Sequence, residues 1–209
     1  MSSDLRLPYP PDPSTLDPLL ETWARGERIV RSHKSVFGAT EFNPGFGWGR
    51  FHPFDGVPTL YGSSSLDGAL SETVFHDLPI RGAGRSILRS SLKTMLVSVL
   101  APLRDLKLAQ LHGFGLRRLE ISRAELIESG SQHSQTVRWA RALHACGSGI
   151  DGLVWVSRQH DTSLALVLFG DRVKRADLEV IDPPLPLYLG LGFDEVQRAA
   201  EQAGITVIE

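Results

Sequence analysis

The stretch GWGRFHPFDGVPTLYGSSSLDGALSETVFH, residues 47–76, decides how this chain folds. Arg50, Tyr61 and Glu72 follow one another in it at equal intervals. The glycines and prolines around Arg50 predict a loop whose backbone can approach a ligand closely. Thr59-Leu60-Tyr61 predicts a short strand, and a capped helix that carries Glu72 is expected after it. The stretch therefore predicts a compact unit that brings an arginine, a tyrosine and a glutamate together.

The helix in this unit is predicted from its cap and its apolar spacing. Ser64 is the expected N-cap, and Asp67 follows three residues later as in a capping box. Apolar residues recur every four positions from Leu66 and predict a buried stripe. At about 100° per residue, Glu72 lies away from that stripe. Glu72 is therefore expected to point out of the helix's packed face.

Outside this stretch the chain predicts short strands in irregular alternation with few long helices. Residues 1–18 are rich in proline and predict an extended arm, and residues 19–209 form the predicted domain. Strands are expected at residues 28–30, 93–100, 103–111, 152–156, 164–169, 178–181 and 205–208, and helices at the start of 19–31 and at 122–128, 135–146 and 194–202. This order favours a single mixed α+β domain over a doubly wound α/β fold.

Composition excludes several classes of function. The chain has 209 residues, 42% of them hydrophobic, and a formal net charge of −2. No bulk positive charge indicates direct nucleic-acid binding, and no apolar run reaches the roughly 18–20 residues of a membrane span. The first residues lack the basic and apolar regions of a signal peptide. We therefore expect a cytoplasmic protein.

The sequence contains neither a metal-binding motif nor a dinucleotide-binding loop in the required context. Cys146 is the one cysteine, and the seven histidines have no metal-ligand spacing, so no metal site is expected. Gly147, Gly149 and Gly152 match G-x-G-x-x-G, but they follow a predicted helix and precede a strand. A dinucleotide-binding loop has the opposite order. These glycines therefore predict a helix cap and a turn.

The three residues of the opening stretch each allow two interpretations. Arg50 suits a phosphate group, which a guanidinium contacts through two nitrogens, or it pairs with Asp55. Tyr61 suits an aromatic wall for a flat ring, or it is an ordinary buried tyrosine. Glu72 suits a cationic ribosyl centre, the problem that glycosidases solve with a carboxylate, or it is a solvated helix residue. Their shared unit favours the functional interpretation of all three.

Two further residues are candidates for the same site. Ser157 follows the apolar strand 152–156 and is either a ligand contact or a cap at the strand end. Arg31 closes the strand Arg28-Ile29-Val30-Arg31 and is either a second phosphate contact or a surface arginine.

In order and spacing these residues resemble the RES-domain toxins of bacterial Xre–RES toxin–antitoxin pairs. The family's arginine, glutamate and serine correspond to Arg50, Glu72 and Ser157, and Arg31 matches the arginine of its first strand. The resemblance runs from about residue 28 to residue 170. The chain departs from it after Arg50, where Phe51-His52 stands in place of Trp-Asn, and it has no tyrosine between Arg31 and Arg50.

The resemblance implies a fold, a substrate and a partner. The fold would be that of ADP-ribosyltransferase toxins, a central split sheet flanked by helices, and the substrate would be NAD, cleaved between nicotinamide and ribose without a metal. Arg31 and Arg50 would hold the diphosphate, Tyr61 the nicotinamide or its ribose, and Ser157 would orient the ligand. Glu72 would stabilise the cationic transition state or position the nucleophile. An Xre-type helix-turn-helix antitoxin would cover the site.

Two alternatives remain open at this stage. The protein could transfer ADP-ribose from NAD to a protein target, or it could be a non-catalytic module that binds a ligand or an antitoxin. The second alternative predicts that replacing Glu72 changes no activity.

Overall fold

One mixed sheet with helices packed on it makes up the fold, which a computed structural model describes for residues 7–128 and 133–209. The strands in these ranges are β1 (Leu20–Trp23), β2 (Ile29–Lys34), β3 (Thr59–Ser63), β4 (Ser86–Leu88), β5 (Met95–Pro102), β6 (Leu106–Gln110), β7 (Gly152–Val156), β8 (Leu164–Phe169), β9 (Leu178–Pro186) and β10 (Thr206–Ile208). The helices are α1 (Leu66–Ser71), α2 (Gly113–Arg118), α3 (His133–Ala145) and α4 (Gly190–Ala203), with short 3₁₀ turns at Pro13–Thr15, Arg89–Leu92 and Arg175–Asp177 and a π-helical turn at Ala124–Glu128.

The main sheet is largely antiparallel. Over the described residues its strand order is β1-β6-β7-β8-β3-β2-β5-β9, and β6 and β7 are its parallel neighbours. A separate parallel pair joins β10 to β4. The predicted mixed α+β domain is confirmed, and so is the edge strand near the C-terminus, which begins at Thr206.

The main sheet is nearly divided between β3 and β2, a boundary that we call the seam. Within residues 7–128 and 133–209, Val30 and Ser63 form the one residue pair that joins these two strands. On their outer sides, β3 pairs with β8 and β2 with β5 along their whole lengths. The two strands therefore diverge beyond Val30 and leave a gap, in keeping with the split sheet that the resemblance implied.

Apolar side chains cover both faces of the sheet. On the face that carries Tyr61, Trp139 from α3 packs with Trp155 from β7, and Leu70 from α1 packs with Phe193 from α4. On the opposite face, Leu60 from β3 and Leu166 from β8 belong to a third buried cluster. Leu70 is fully buried, and such a side chain stabilises the fold by about 1.5–3 kcal/mol relative to an exposed one. The short helix α1 is thus fixed by packing rather than by its length.

Two sequence-based predictions about local structure were wrong. Residues 20–23 form the strand β1 instead of a helix, because Trp23 is buried and the strand pairs with β6. The N-cap of α1 is Ser65 instead of Ser64: the Ser65 hydroxyl accepts a hydrogen bond from the Gly68 N–H at 3.0 Å. The Ser64 hydroxyl accepts one from the Leu164 N–H at 2.9 Å, so it joins α1 to β8.

The strand predicted at residues 178–181 is longer than its sequence suggested. β9 continues through Asp182-Pro183-Pro184-Leu185 to Pro186, with irregular pairing to β5. Proline removes a backbone donor, which is tolerated on a strand with one unpaired edge. β9 is the last strand in the sheet order, so these prolines lie at an edge.

The described part of the proline-rich arm, residues 7–18, packs on α3. Leu7 is buried, and the Trp139 indole N–H donates to the Pro8 carbonyl at 2.8 Å. The Arg138 guanidinium lies 4.6 Å from the centre of the Tyr9 ring. Residues 1–6 of the predicted arm lie outside the described residues. None of the described helices is both long enough and apolar enough to span a membrane.

Candidate functional site

A cavity of about 290 Å³, the first cavity, opens at the seam. Val30 and Ser32 of β2 form one wall, and Tyr61 of β3 forms another. Arg50 from the preceding loop and Glu72 from the end of α1 also line it. The structure therefore brings together the three residues of the opening stretch, as the sequence predicted.

A tight turn presents Arg50 to the first cavity. Gly49 and His52 pair with each other across it, which places Arg50 and Phe51 at its tip. Phe51 is fully buried and anchors the turn in the core. A side chain at position 49 would collide with the His52 imidazole, so the turn requires Gly49. Arg50 thus leaves the backbone from a fixed point.

The guanidinium of Arg50 is only partly satisfied by protein. Its Nη1 donates to the Leu126 carbonyl at 3.0 Å. The alternative pairing with Asp55 is not formed, since Asp55 contacts Arg141 at 2.9 Å. Burial lowers the pKa of Arg50, as does the nearby charge of Arg158. A half-buried cation that pairs with no carboxylate of the described residues is suited to bind an anionic group of a ligand.

Tyr61 is held by the same turn. Its Oη accepts a hydrogen bond from the Phe51 N–H at 3.0 Å and lies 3.1 Å from His52 Nδ1. The Tyr61 ring meets the Trp155 ring edge-on, with 6.3 Å between centroids. Burial raises the pKa of the Tyr61 phenol, so the hydroxyl stays protonated at neutral pH. Tyr61 therefore offers a neutral hydroxyl and an aromatic surface.

Glu72 follows the last residue of α1 and is held through one oxygen. Its Oε1 accepts hydrogen bonds from the Ser157 hydroxyl at 2.6 Å and from the Arg158 N–H at 2.9 Å. Its Oε2 has no partner among the residues that the structure describes. The alternative of a freely solvated glutamate is therefore not observed. Glu72 is an oriented carboxylate with one oxygen available to the cavity.

Ser157 contacts Glu72 and not the first cavity. The side chain is fully buried just after β7. Its Oγ donates to Glu72 and accepts from the N–H groups of Gln159, at 3.1 Å, and of His160, at 3.0 Å. The serine therefore joins the turn after β7 to the end of α1, and it positions the carboxylate.

Arg31 lies in a neighbouring cavity of about 480 Å³, the second cavity. The two cavities share Ser32 and Tyr61 at the seam. Arg31 is buried, and its Nη1 donates to the Ala39 carbonyl at 2.6 Å. Burial lowers its pKa to about 10, so the guanidinium remains charged at neutral pH. The structure thus places Arg31 in a different cavity from Arg50 and Glu72.

Trp155 and His133 are among the residues of the first cavity that the sequence analysis did not single out. Trp155 lies two residues before Ser157 at the end of β7, so period-two spacing from Ser157 could have pointed to Trp155. His133, at the start of α3, had no sequence signal. Its pKa is lowered first by burial and then by the charge of Arg50. His133 is therefore a predominantly neutral wall residue beside Arg50.

Comparison with known proteins fixes the family. The model of the RES domain family matches residues 25–190. The chain belongs to the RES domain family. No curated protein matches this RES-domain chain at a significant level. In the described residues, no group of three or more His, Cys, Asp or Glu side chains is placed to hold a metal ion.

A solved structure shares the fold of this RES-domain protein. It is the crystal structure of the MbcT–MbcA toxin–antitoxin complex of M. tuberculosis. The matching chain has a TM-score of 0.57 and 16% sequence identity, over 82% of this chain and 92% of that one. At this identity the match shows a common fold, and it covers most of both chains.

Proposed function

We propose that this RES-domain protein is the toxin of a toxin–antitoxin pair and consumes NAD by cleaving the bond between nicotinamide and ribose. Membership of the RES family supports this, as does the common fold with a chain of a toxin–antitoxin complex. The observation that carries the chemistry is the convergence of Arg50, Tyr61 and Glu72 on one cavity.

Glu72 is the residue that meets the reacting carbon in this proposal. As the bond to nicotinamide breaks, positive charge moves onto the ribose and forms an oxocarbenium-like centre. The free Oε2 of Glu72 stabilises that charge, while Oε1 stays fixed by Ser157 and by the Arg158 N–H. A carboxylate held before the reaction needs no rearrangement in the transition state, which is how preorganised groups lower a barrier. The leaving nicotinamide becomes neutral as it departs.

The two cavities suit a substrate with two halves. The first cavity takes the nicotinamide riboside, with the Tyr61 and Trp155 rings as its walls. Arg50 contacts the diphosphate from the first cavity, and Arg31 contacts it from the second. The cavities share Ser32 and Tyr61, and we propose that one extended dinucleotide occupies both.

An antitoxin partner belongs to the same proposal. The related crystal structure is a complex of a toxin with an antitoxin, and we propose an Xre-type helix-turn-helix protein for this role here. Trp48 lines the mouth of the first cavity with 73% of its surface exposed, so a partner that covers the cavity would also cover this ring. A toxin that consumes NAD would act in the cytoplasm.

The decisive experiment measures NAD loss by the purified protein with and without phosphate. Wild-type protein is expected to release nicotinamide, and Glu72→Gln is expected to lower kcat by at least about 100-fold, since it removes the charge that stabilises the transition state. Glu201→Gln, an exposed change of the same chemistry on α4, serves as the matched control. A Glu72→Gln variant as active as the control would contradict the proposal.

The products identify the acceptor. ADP-ribose indicates hydrolysis, and ADP-ribose 1″-phosphate formed only in phosphate buffer indicates phosphorolysis. Mass spectrometry of cell proteins after exposure to enzyme and NAD tests the alternative of ADP-ribosyl transfer. A fixed ADP-ribose adduct on a target, with little free product, would replace NAD depletion by protein modification.

A further inference from the structure

The side-chain amide of Asn43 has a fixed orientation. Its Oδ1 accepts hydrogen bonds from the N–H groups of Gly45, at 3.0 Å, and Phe46, at 2.7 Å. Its Nδ2 donates to the Phe46 carbonyl at 2.8 Å. Exchanging the oxygen and the nitrogen would set two donors against the amide nitrogen and a carbonyl against the oxygen. The nitrogen of Asn43 is therefore the atom that faces His52, at 3.4 Å from Nε2.

This orientation determines where His52 carries its proton. An amide nitrogen only donates, so His52 Nε2 acts as the acceptor, and a neutral imidazole then has its proton on Nδ1. His52 is buried, with 8% of its surface exposed. Burial is the largest cause acting on its pKa and lowers it, which favours the neutral form. The Phe46 carbonyl, which raises this pKa, already accepts from Asn43 Nδ2 at 2.8 Å. His52 Nδ1 lies 3.1 Å from Tyr61 Oη, so the bond between them runs from the imidazole N–H to the phenol oxygen.

Tyr61 Oη consequently accepts two hydrogen bonds. The donors are His52 Nδ1–H and the Phe51 N–H, which lies 3.0 Å away. A phenol oxygen has no further acceptor capacity in such an arrangement, and its own proton needs a different partner. No described residue accepts that proton. Tyr61 lines the first and the second cavity at the seam, so an acceptor on a ligand bound there can reach it.

We propose that His52 and Asn43 are positioning residues that make the Tyr61 hydroxyl an obligatory hydrogen-bond donor to an oxygen of the ligand. The inference rests on the proposed function for the identity of that oxygen, which is a carboxamide or ribose oxygen of NAD. The relay runs from Asn43 through His52 to Tyr61, and only Tyr61 touches the ligand. The turn Gly49–His52 therefore presents the Arg50 cation and also makes the Tyr61 hydroxyl a hydrogen-bond donor.

The protonation of His52 is measured directly by nitrogen NMR of the wild-type protein labelled with ¹⁵N-histidine. We expect the proton on Nδ1 and an unprotonated Nε2. The measurement is made on the free protein and needs neither substrate nor an activity assay. Asn43→Asp tests the cause: one carboxylate oxygen still accepts from Gly45 and Phe46, and the other draws the His52 proton to Nε2. At about pH 9, well above the ordinary histidine pKa of about 6.5, the ring is neutral and the proton is expected on Nε2. A wild-type ring protonated on Nε2 overturns the inference.

A double-mutant cycle on NAD cleavage tests the consequence. Tyr61→Phe removes the donor and is expected to lower kcat/KM about tenfold, the loss typical of one hydrogen bond. Asn43→Asp turns the Tyr61 hydroxyl toward His52 Nδ1, and a similar loss is expected. Both changes act through one proton, so the double variant should be no slower than Tyr61→Phe alone. Losses that multiply in the double variant overturn the relay.

Gln197→Glu is the matched control for Asn43→Asp, because it converts an exposed amide on α4, outside the lining of the first cavity, into a carboxylate. It is expected to keep wild-type kcat/KM. Failure of the inference and failure of the proposed function are distinguishable. Wild-type protein that leaves NAD intact refutes the proposed function, whereas NAD cleavage with independent losses, or a proton on Nε2, refutes the relay alone.

Discussion

The carboxylate of Glu72 depends on a serine hydroxyl that has no access to the cavity. Ser157 Oγ lies 2.6 Å from Glu72 Oε1 and is itself fixed by two backbone N–H groups. The sequence identified both residues but not their contact, because they are far apart along the chain and meet only through the end of β7 and the end of α1. The sequence therefore pointed to Glu72 and Ser157 as candidates, but it did not show that Ser157 holds Glu72 in place.

Replacing Ser157 by alanine should separate catalysis from binding. The change leaves Glu72 Oε1 with a single donor and leaves the Gln159 and His160 N–H groups without their acceptor. We expect kcat for NAD cleavage to fall about 10- to 100-fold, since a transition-state contact is loosened, while KM changes less than about twofold. Steady-state kinetics check this against Ser134→Ala, an exposed change on α3. A rise in KM at unchanged kcat would instead indicate a direct ligand contact.

At the scale of elements, the π-helical turn Ala124–Glu128 connects the two sides of the site. The Leu126 carbonyl in this turn accepts from Arg50 Nη1 at 3.0 Å. Arg123, just before the turn, donates from Nη1 to the Val156 carbonyl at 3.1 Å and from Nη2 to the Ser157 carbonyl at 3.0 Å. π-helical turns are rare and are frequent at functional sites. One short segment thus fixes both the proposed phosphate-binding arginine and the support of Glu72.

Arg123→Met should weaken the positioning of both Arg50 and Glu72. Methionine keeps an apolar stem but removes the donors to the Val156 and Ser157 carbonyls. We expect kcat for NAD cleavage to fall about tenfold or more, with partial recovery in Arg123→Lys, which restores one donor group. Arg117→Met on α2 is the exposed control. If Arg123→Lys and Arg123→Met show equal activity, the hydrogen bonds of Arg123 carry no catalytic role.

Elements were predictable where sequence pattern and environment agreed. β7 and β8 are continuous apolar runs bounded by turn residues, and both were predicted with their observed ends. β1 was predicted as a helix because its partner β6 lies far along the chain, and local pattern does not report such pairing. The turn at residues 124–128 was predicted as a short helix, but its π geometry depends on packing that the sequence does not show.

At the scale of the whole molecule, three buried or half-buried histidines link stability to pH. Burial is the largest cause that lowers the pKa of His33, of His52 and of His133. Below about pH 6.5 the unfolded chain takes up protons that the folded chain does not. The free energy of unfolding therefore decreases as pH falls. Above that pH both states hold these rings neutral, and the effect on stability vanishes.

The urea midpoint of unfolding should therefore fall between pH 7 and pH 5. His33 is buried against β5, where its Nε2 lies 2.8 Å from the Ser98 hydroxyl. His33→Gln should make the midpoint less dependent on pH over this range, since glutamine does not titrate. His76→Gln, at an exposed position, is the comparison. Equal wild-type midpoints at pH 7 and pH 5 would show that the folded protein accepts these protons freely.

The seam should also make the sheet less stiff between β2 and β3 than within either part. Backbone ladders make a sheet rigid across its strands, and in the described residues the two parts of this sheet share one ladder position, Val30 with Ser63. Each part is cross-braced within itself by full-length pairs, β3 with β8 and β2 with β5. A dinucleotide lying across the seam would touch both parts and act as the brace that the ladder lacks. The bound substrate would then hold the two parts of the sheet together until its cleavage removes that connection.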